Sequence, residues 1–467
     1  MTNEMGAQKL RTEIIEKGLC SGCGACAGIC PSGAISFSKG AHEPNVDEAL
    51  CIGCGLCFDV CPGKGYPIVK WIGEQMGPHS DSHPTCGPVR GFWLGHSTNR
   101  EIRREGTSGG IVTSLLLHLL DTDQVDAVVV VTLEDGYPAV HLTNDPRLVI
   151  QALGSKYSPV PVMQLIRELR RKPIRIAMSF TPCQLAAFRY ASELDQRLAK
   201  CLILSIGLFC GYVNEYESVS SIAATLGIHY PREAEFLGWR CGPYPGSARF
   251  RLPDGTIRAK PYNSSMDISI PYYALKRCFL CPDWANWLSD ITVGDVHAYG
   301  LDESIIVSRT ERGEQVLRSA EASGDIELTK MTEQMRSVVA ERMVSYKLLP
   351  ALARIAWLDK KRSAIPEYDY PAAEVLSQSP WPMRFLNVLQ YRLCLWVRKG
   401  RLGRFLLGYP RMSELVGRFL RGFPSTVPGF SLAVWVYRSL LPKRPAQNPG
   451  LQHIPGRGNE YSGRGNR

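Results

Sequence analysis

Apolar residues at Ile111, Val112, Leu115, Leu116 and Leu119 recur at helical spacing and mark one buried helix face. The apolar run Val125 to Leu133 comes next and predicts a buried strand. A second strand, Ile174 to Phe180, ends in Thr181-Pro182-Cys183 and leads into a helix from about Gln184 to Ala191. A third, Cys201 to Phe209, ends in Cys210-Gly211. Strand, small loop and helix in succession predict a sheet with functional loops at its strand ends. Beyond Phe236 the pattern turns strand-like and turn-rich, with a hairpin signal at Asp254-Gly255. Residues from about Glu314 to Lys361 read as helices and connectors. From about Trp381 the chain is rich in Arg, Trp and Leu, and its last stretch, a Gly/Asn/Arg string, has the composition of disorder.

Composition narrows the class. A chain of 467 residues has room for two or three domains and a sizeable core. The N-terminus, MTNEMGAQKLRTE, lacks an apolar signal core, and no apolar run reaches spanning length. Sixteen cysteines without a signal sequence predict metal or redox use in a reducing cytoplasm rather than a disulfide framework. The net charge of +10 is concentrated at one end. From Arg384 onward there are fifteen Lys or Arg against two acids, Glu414 and Glu460, so the rest of the chain is close to neutral.

Eight of the cysteines form two copies of C-x-x-C-x-x-C-x-x-x-C-P: Cys20, Cys23, Cys26 and Cys30, then Cys51, Cys54, Cys57 and Cys61. This is the thiolate spacing of a two-cluster ferredoxin, in which the fourth cysteine of each run reaches the other cube. It assigns Cys20, Cys23, Cys26 and Cys61 to one [4Fe–4S] cluster and Cys51, Cys54, Cys57 and Cys30 to a second. Gly22, Gly24, Gly53 and Gly55 let the backbone approach the inorganic sulfides. Zinc is the rival, but it prefers paired C-x-x-C knuckles. The module should fold as two short hairpins and two short helices. A Gly/Pro/His/Ser stretch from Gly77 to Pro88, holding the lone Cys86, reads as a linker.

The stretches after that linker resemble a known family. GTSGGIVTSLLLHLL (Gly106 to Leu120), GSKYSPVP (Gly154 to Pro161), TPCQLAAFR (Thr181 to Arg189), GLFCGY (Gly207 to Tyr212), WRCGPYPG (Trp239 to Gly246) and KRCFLCPDWANWLSDITVGD (Lys276 to Asp295) follow the family's order. The chain resembles the beta subunits of the deazaflavin-coenzyme (coenzyme F420) hydrogenases and dehydrogenases, which include single-chain reductases. The resemblance covers roughly the first three hundred residues and leaves the tail after about Tyr368 outside it. It implies an α+β or α/β fold, with a bacterial-type ferredoxin module at 1–76 and a mixed α/β flavin-binding body in two parts at 86–180 and 181–368; the composition adds a helical basic tail, partly disordered, at 369–467.

The resemblance also implies FAD and a third [4Fe–4S] cluster. Cys183, Cys210, Cys278 and Cys281, on loops at strand ends and in a C-x-x-C, supply four thiolates for it, with Cys241 as a rival fourth ligand. Cys201, Cys86 and Cys394 read as structural. Gly106, Thr107, Ser108, Gly109 and Gly110 form the flavin candidate, with Thr107 and Ser108 as natural N-caps and amides at a helix start for a pyrophosphate. The alternative there is an ordinary capped helix. Lys156 and Tyr157 are candidates beside the flavin, against a solvated surface lysine. Asp283, Asp290 and Asp295 flank the last cluster motif. Asp295 is a candidate for flavin or ribose, or it ends a strand, and the neighbouring lone His297 reads as structural. No G-x-G-x-x-G follows a strand, which argues against a Rossmann-type NAD site.

These signals together predict an iron–sulfur flavoprotein oxidoreductase. It would pass electrons from a ferredoxin-like donor through the clusters to FAD and a small organic substrate, or the reverse. The alternative is an electron-transfer subunit of the deazaflavin-oxidising type serving a separate catalytic partner. Arg392, Arg398, Lys399, Arg401, Arg404, Arg418 and Arg421 punctuate apolar clusters in the tail, a pattern suited to an anionic membrane surface. A cytoplasmic location, with the tail at the inner membrane face, is the expectation. The plainer reading is helices packed on the protein's own body. No nucleic-acid module is recognisable.

Overall fold

A computed structural model of the chain describes residues 6–76, 82–83, 87–295, 302–370, 372–377, 379, 381–399 and 410–426. Its centre is an eight-stranded sheet of β1 (Gly91–Ser97), β2 (Ala127–Glu134), β3 (Tyr137–Thr143), β4 (Ile176–Phe180), β5 (Leu202–Leu208), β6 (Ile291–Asp295), β7 (Ser304–Ser308) and β8 (Ile326–Lys330). The spatial order is β8-β1-β7-β6-β5-β4-β2-β3. The four strands β6, β5, β4 and β2 run parallel, and antiparallel strands flank them on both sides. In β2, Val128 and Val130 join one core and Val129 the other, so both sheet faces are covered. That is why its sequence is a continuous apolar run rather than an alternating one. Each fully buried valine or leucine here contributes about 1.5–3 kcal/mol.

The helix from Ile111 to Asp121 buries Ile111, Leu115, Leu116 and Leu119 on one face of the sheet. The helix from Pro182 to Leu194 covers the other, started by a capping box between Thr181 and Gln184. The Asp254-Gly255 turn joins Ser247–Arg251 to Ile257–Pro261 in an antiparallel pair, within a separate three-stranded sheet. The apolar pattern missed β1, β3, β7 and β8. These are the antiparallel flanking strands, whose apolar stretches are broken by polar residues or glycine and carry no long apolar run.

In the N-terminal module, the helices Ala25–Ile29 and Leu56–Asp59 each start from a left-handed glycine, Gly24 (φ 89) and Gly55 (φ 81). The repeat in sequence is thus a repeat in backbone. One expected hairpin forms, Ile35–Ser36 with Asn45–Val46. The second does not: Gly65–Tyr66 instead pairs in parallel with Glu367–Tyr368. This pairing requires glycine, since a Cβ on Gly65 would lie 1.8 Å from the Glu367 carbonyl oxygen. The module is docked firmly on the body. Met163 N–H donates to Cys23 O (2.8 Å), and Arg277 Nη2 donates to Pro62 O (2.8 Å). Of the expected linker, Ser82–His83 pairs with Gly87–Pro88, and Cys86 lies outside the described residues.

The tail departs from a free basic arm. Helices Trp381–Lys399 and Pro410–Thr426 pack on the body, and Tyr391, Cys394, Val397 and Leu420 are buried in one core with Leu10, Cys26, Cys57 and Cys61. Arg398 donates to Ala274 O (2.5 Å) and pairs with Glu215. The sequence hid this because a helix with one buried stripe and one basic face reads the same whether its apolar side meets lipid or protein. Arg401 and Arg404 lie outside the described residues. Among the described residues, no helix is long and apolar enough to cross a membrane.

Candidate functional site

Three groups of thiols sit in a row. Cys20 and Cys23 both feel the Cys61 thiolate, and Cys26 feels Cys23, Cys20 and Cys61. Cys57 neighbours Cys54, Cys30 and Cys51. Cys210 neighbours Cys278, Cys183 and Cys281. Burial, then these like charges, pushes the Cys23 thiol up to about 12; burial does the same for Cys57. Electrostatic influence also runs between groups: Cys26 feels Cys57, and Cys23 feels Cys183. Among the described residues no three His, Cys, Asp or Glu converge to hold a metal ion. A zinc site would need sulfurs about 2.3 Å from one point. These thiols are electrostatic neighbours without that convergence.

Two buried cations accompany the third group. Burial works against the charge of Lys347, but the thiolates of Cys281, Cys278 and Cys210 outweigh it, and its net shift is upward. Its ammonium donates to the Gly211 carbonyl and lies 4.4 Å from the Tyr212 ring centroid. Arg277 is buried between groups: it acts on Cys61 on one side and on Cys281 and Cys183 on the other. Sequence reasoning passed over both. Arg277 stands directly before Cys278, which was the available signal; Lys347 carried none.

Cys183 and Cys210 also line a cavity of about 850 Å³ at the carboxyl ends of β4, β5 and β6. Open α/β sheets bind ligands outside the carboxyl ends of their strands. The cavity collects Gly106, Thr107, Ser108, Gly110, Lys156, Tyr157 and Asp295. Gly109 faces elsewhere: a Cβ there would lie 2.8 Å from Gly95 O, so this glycine serves packing on β1. The expected N-caps are corrected too. Gly110, at φ 75, occupies the N-cap position with no side-chain cap. Thr107 Oγ1 instead accepts Ser155 N–H (2.8 Å), and Ser108 Oγ lies 3.4 Å from Ser304 Oγ. The helix therefore starts without a side chain over its first amides, and Gly110, Ile111, Val112 and Thr113 line the cavity. Such a start suits an anionic phosphate.

Arg240 organises this end and was missed, though it lies within the quoted WRCGPYPG. Its side chain is 0% exposed and ion-pairs with Asp295. It donates to Tyr157 Oη (3.3 Å), Thr107 O (3.0 Å) and Pro245 O (2.8 Å). Removing one partner of such a buried pair typically costs about 3–5 kcal/mol. Lys156 is committed elsewhere: its Nζ donates to Ala152 O (2.6 Å), Gly154 O (2.9 Å) and Leu153 O (3.1 Å). It anchors the loop and does not present a free ammonium. Asp290 is structural, accepting from Ser205 N (2.9 Å) and Thr310 Oγ1 (2.7 Å). Asp283 is buried beside Cys281, and that burial pushes its carboxyl up to about 6. Cys241 faces Arg249, Glu105 and Lys156 rather than the other thiols, and Cys201 and Cys394 are buried. His297 lies outside the described residues.

One cavity residue has no partner. Asn214 is 0% exposed, and neither its side-chain oxygen nor its nitrogen is hydrogen-bonded. Leaving a buried amide atom unsatisfied costs about 1–3 kcal/mol. The open helix start, with its amides on the cavity wall, suits the phosphates of a nucleotide.

Comparisons with known proteins place the chain in a family. The family model for the C-terminal part of the coenzyme F420 hydrogenase/dehydrogenase beta chain matches residues 174–334, and the corresponding N-terminal model matches 92–167. A 4Fe-4S dicluster domain matches 19–64. One of the subunits of the F(420)H(2) dehydrogenase of Methanosarcina mazei is 26% identical over 313 residues, 65% of this chain and 82% of that one. The coenzyme F420-dependent sulfite reductase of Methanocaldococcus jannaschii is 23% identical over 346 residues, 71% of this chain and 50% of its own length. A chain in the solved F420-reducing [NiFe] hydrogenase complex from Methanosarcina barkeri aligns with a TM-score of 0.50 at 19% identity. It covers 62% of this chain and 99% of its own, which is a likeness of fold. Lys347 and the two tail helices lie beyond all three matched segments.

Proposed function

Because the chain belongs to the family of coenzyme F420 hydrogenase/dehydrogenase beta subunits and carries a 4Fe-4S dicluster domain, we propose that it is an iron–sulfur electron-transfer subunit, exchanging electrons between a deazaflavin and a separate catalytic partner. The observation that carries this reading is the row of thiol groups ending at the cavity. Cys51, Cys54, Cys57 and Cys30 hold the outer cube; Cys54 is the exposed cysteine among the described residues, so this end faces an external carrier. Cys20, Cys23, Cys26 and Cys61 hold the next, and Cys183, Cys210, Cys278 and Cys281 the third. When bound, the cubes supply one-electron carriers and FAD in the cavity supplies the exchange between single electrons and pairs. The amides at Gly110 and Ile111 hold the flavin's phosphates. Arg240 fixes Tyr157, Asp295 and the Thr107 carbonyl into one wall. Lys347 and Arg277 offset the thiolates' negative charge.

The self-contained reductase, acting on a small organic substrate, is the second reading, favoured by the cavity's size. Two similar proteins, from Methanosarcina mazei and Methanosarcina barkeri, are named as subunits of a dehydrogenase and of a hydrogenase, and this favours the first reading. On the tail, Trp381, Phe385 and Trp396 are exposed on the same helix as the exposed Arg392, which supports peripheral contact with an anionic membrane face. Liposome sedimentation with and without phosphatidylserine tests that contact; equal recovery on both removes it.

Anaerobic purification tests the main proposal. About twelve irons per chain, as three cubes require, and acid-released FAD are expected, with bleaching by reduced deazaflavin. Turnover with an organic acceptor in the absence of any partner would favour the self-contained reductase. Protein with its full iron that neither accepts from nor donates to a deazaflavin sinks both the carrier and the subunit role.

A further inference from the structure

The charges on the cavity wall do not balance. Of the described residues that line it, five are cations, Lys156, Arg240, Arg342, Arg418 and Arg421, and one is a carboxylate, Asp295. Two of the cations are committed: Arg240 pairs with Asp295, and Lys156 donates to three carbonyls. The other three stand on helices beyond the segments that the family models match. Arg342 is exposed and makes no ion pair among the described residues. Arg418 and Arg421 share the buried carboxylate of Asp267. Arg418 also meets Glu414, which takes Lys260 as well (2.5 Å).

The tail helix that carries Arg418 and Arg421 is held in one register. Gly417 packs so closely that a Cβ would lie 1.8 Å from Asp267 O, and Tyr272 Oη donates to Ser413 O (3.2 Å). Arg342 and Tyr346 stand one turn apart on the helical stretch of Glu333–Met343 and Val344–Leu348. The Tyr346 hydroxyl reaches the segment after β5, since a Cβ on Gly211 would lie 3.2 Å from it. Arg342 and Arg421, from two different helices, both act electrostatically on that hydroxyl. Tyr346 is 39% exposed, and the side chains of Arg418 and Arg421 are 60% and 33% exposed, so a ligand can reach all three. A wall with several guanidiniums and few carboxylates favours an anion, and a guanidinium fork matches carboxylate or phosphate oxygens.

We propose that Arg342, Arg418 and Arg421, with the Tyr346 hydroxyl, form a subsite for a carboxylate or phosphate group on the molecule that exchanges electrons in the cavity. The helices added to the matched segments thus make the cavity select an anionic substrate. This rests on the deazaflavin reading above and deepens it, because it assigns a charged substituent of that substrate to residues outside the family's segments. The guanidiniums bind and orient; they take no part in the electron transfer. The flavin's own phosphates are the other source of such an anion, and the test separates the two.

The test uses full-length protein with its clusters and FAD in place. It is dialysed anaerobically to equilibrium against oxidised 5-deazariboflavin and against the 5′-phosphate of that compound, and retained FAD is measured after each titration. Wild type is expected to bind the phosphate form about tenfold or more tightly at low salt, the scale of a charged hydrogen bond, with the gap narrowing as salt rises. Arg342→Met strands no buried ion-pair partner among the described residues. It is expected to lose most of the gap while keeping its FAD. Equal binding of both forms by wild type overturns the proposal and leaves the deazaflavin reading in place; that arm needs no variant, so it stands even if Arg342→Met fails to fold. Loss of FAD from Arg342→Met with the gap intact, or displacement of FAD by the phosphate form, assigns the arginines to the flavin's own phosphates and overturns the proposal. Wild type binding neither form overturns the proposal and the deazaflavin reading together.

Discussion

Lys347 is a buried ammonium held among the Cys210, Cys278 and Cys281 thiols, and a charge in that position acts on whatever those thiols bind. Lys347→Met is expected to lower the reduction potential of the third cube. A one-electron couple moves about 59 mV per tenfold change in equilibrium constant, so a fall of roughly that size or more is expected. An EPR-monitored redox titration reads it, and Lys347→Arg should retain most of the wild-type potential. An unchanged potential in the Met variant ends the charge argument.

Lys156 makes a different residue-scale prediction. Burial pushes its ammonium down from 10.5 to about 7. Between those values the unfolded chain holds a proton that the folded chain has lost. Its contribution to stability therefore rises with pH across that window. Denaturation midpoints of wild type, relative to Lys156→Met, should improve from about pH 7 to about pH 9.5. A difference independent of pH over that range contradicts the shift.

Among the elements, the helix from Ile111 to Asp121 depends on one residue at its start. Gly110 is left-handed, and a Cβ there would lie 2.7 Å from Ile102 O. Gly110→Ala carries the left-handed penalty of about 1–2 kcal/mol plus that clash. It should lower the thermal midpoint and weaken FAD retention together. Retention unchanged at a lowered midpoint would detach the helix start from the flavin. The tail helix Pro410–Thr426 is held comparably, since a Cβ on Gly417 would lie 1.8 Å from Asp267 O. Arg418 and Arg421 of this helix ion-pair with Asp267 and line the cavity. Gly417→Leu should push this wall outward, raising protease sensitivity in the tail and shifting the bound flavin's fluorescence. Truncation after Tyr368 is a poor probe of lipid contact, because it strips Tyr391, Val397 and Leu420 from a core shared with the N-terminal module.

For the whole molecule, the order of the thiol groups makes a separable claim. Cys183 acts electrostatically on Cys23 of the neighbouring group and lines the cavity, so it stands where the row meets the pocket. Cys183→Ser should remove the third cube's signal and about four irons, leaving the two N-terminal cubes reducible. Electron delivery between an external ferredoxin and cavity-bound FAD should fall to background in stopped-flow measurements. Delivery at the wild-type rate would mean that electrons bypass the third group.

The sequence by itself determined the local chemistry. The doubled cysteine run fixed two thiolate sets because its spacing is set by one tight turn and one helix, repeated at Gly24 and Gly55. The apolar run of β2 and the helix face of Ile111 to Leu119 were legible because burial on both sheet faces, or on one helix stripe, writes a simple period. The resemblance named Cys183, Cys210, Cys278 and Cys281 as one set, but only the tertiary structure put Cys183 and Cys210 beside the C-x-x-C and set the group against Cys23, because these loops lie far apart in sequence and no local period records their meeting. It alone revealed Arg240, Lys347 and Asn214, whose significance lies in burial and in the partners they have or lack. It also turned the basic tail into part of the core and cavity, since an amphipathic helix specifies that it must be covered but not by what.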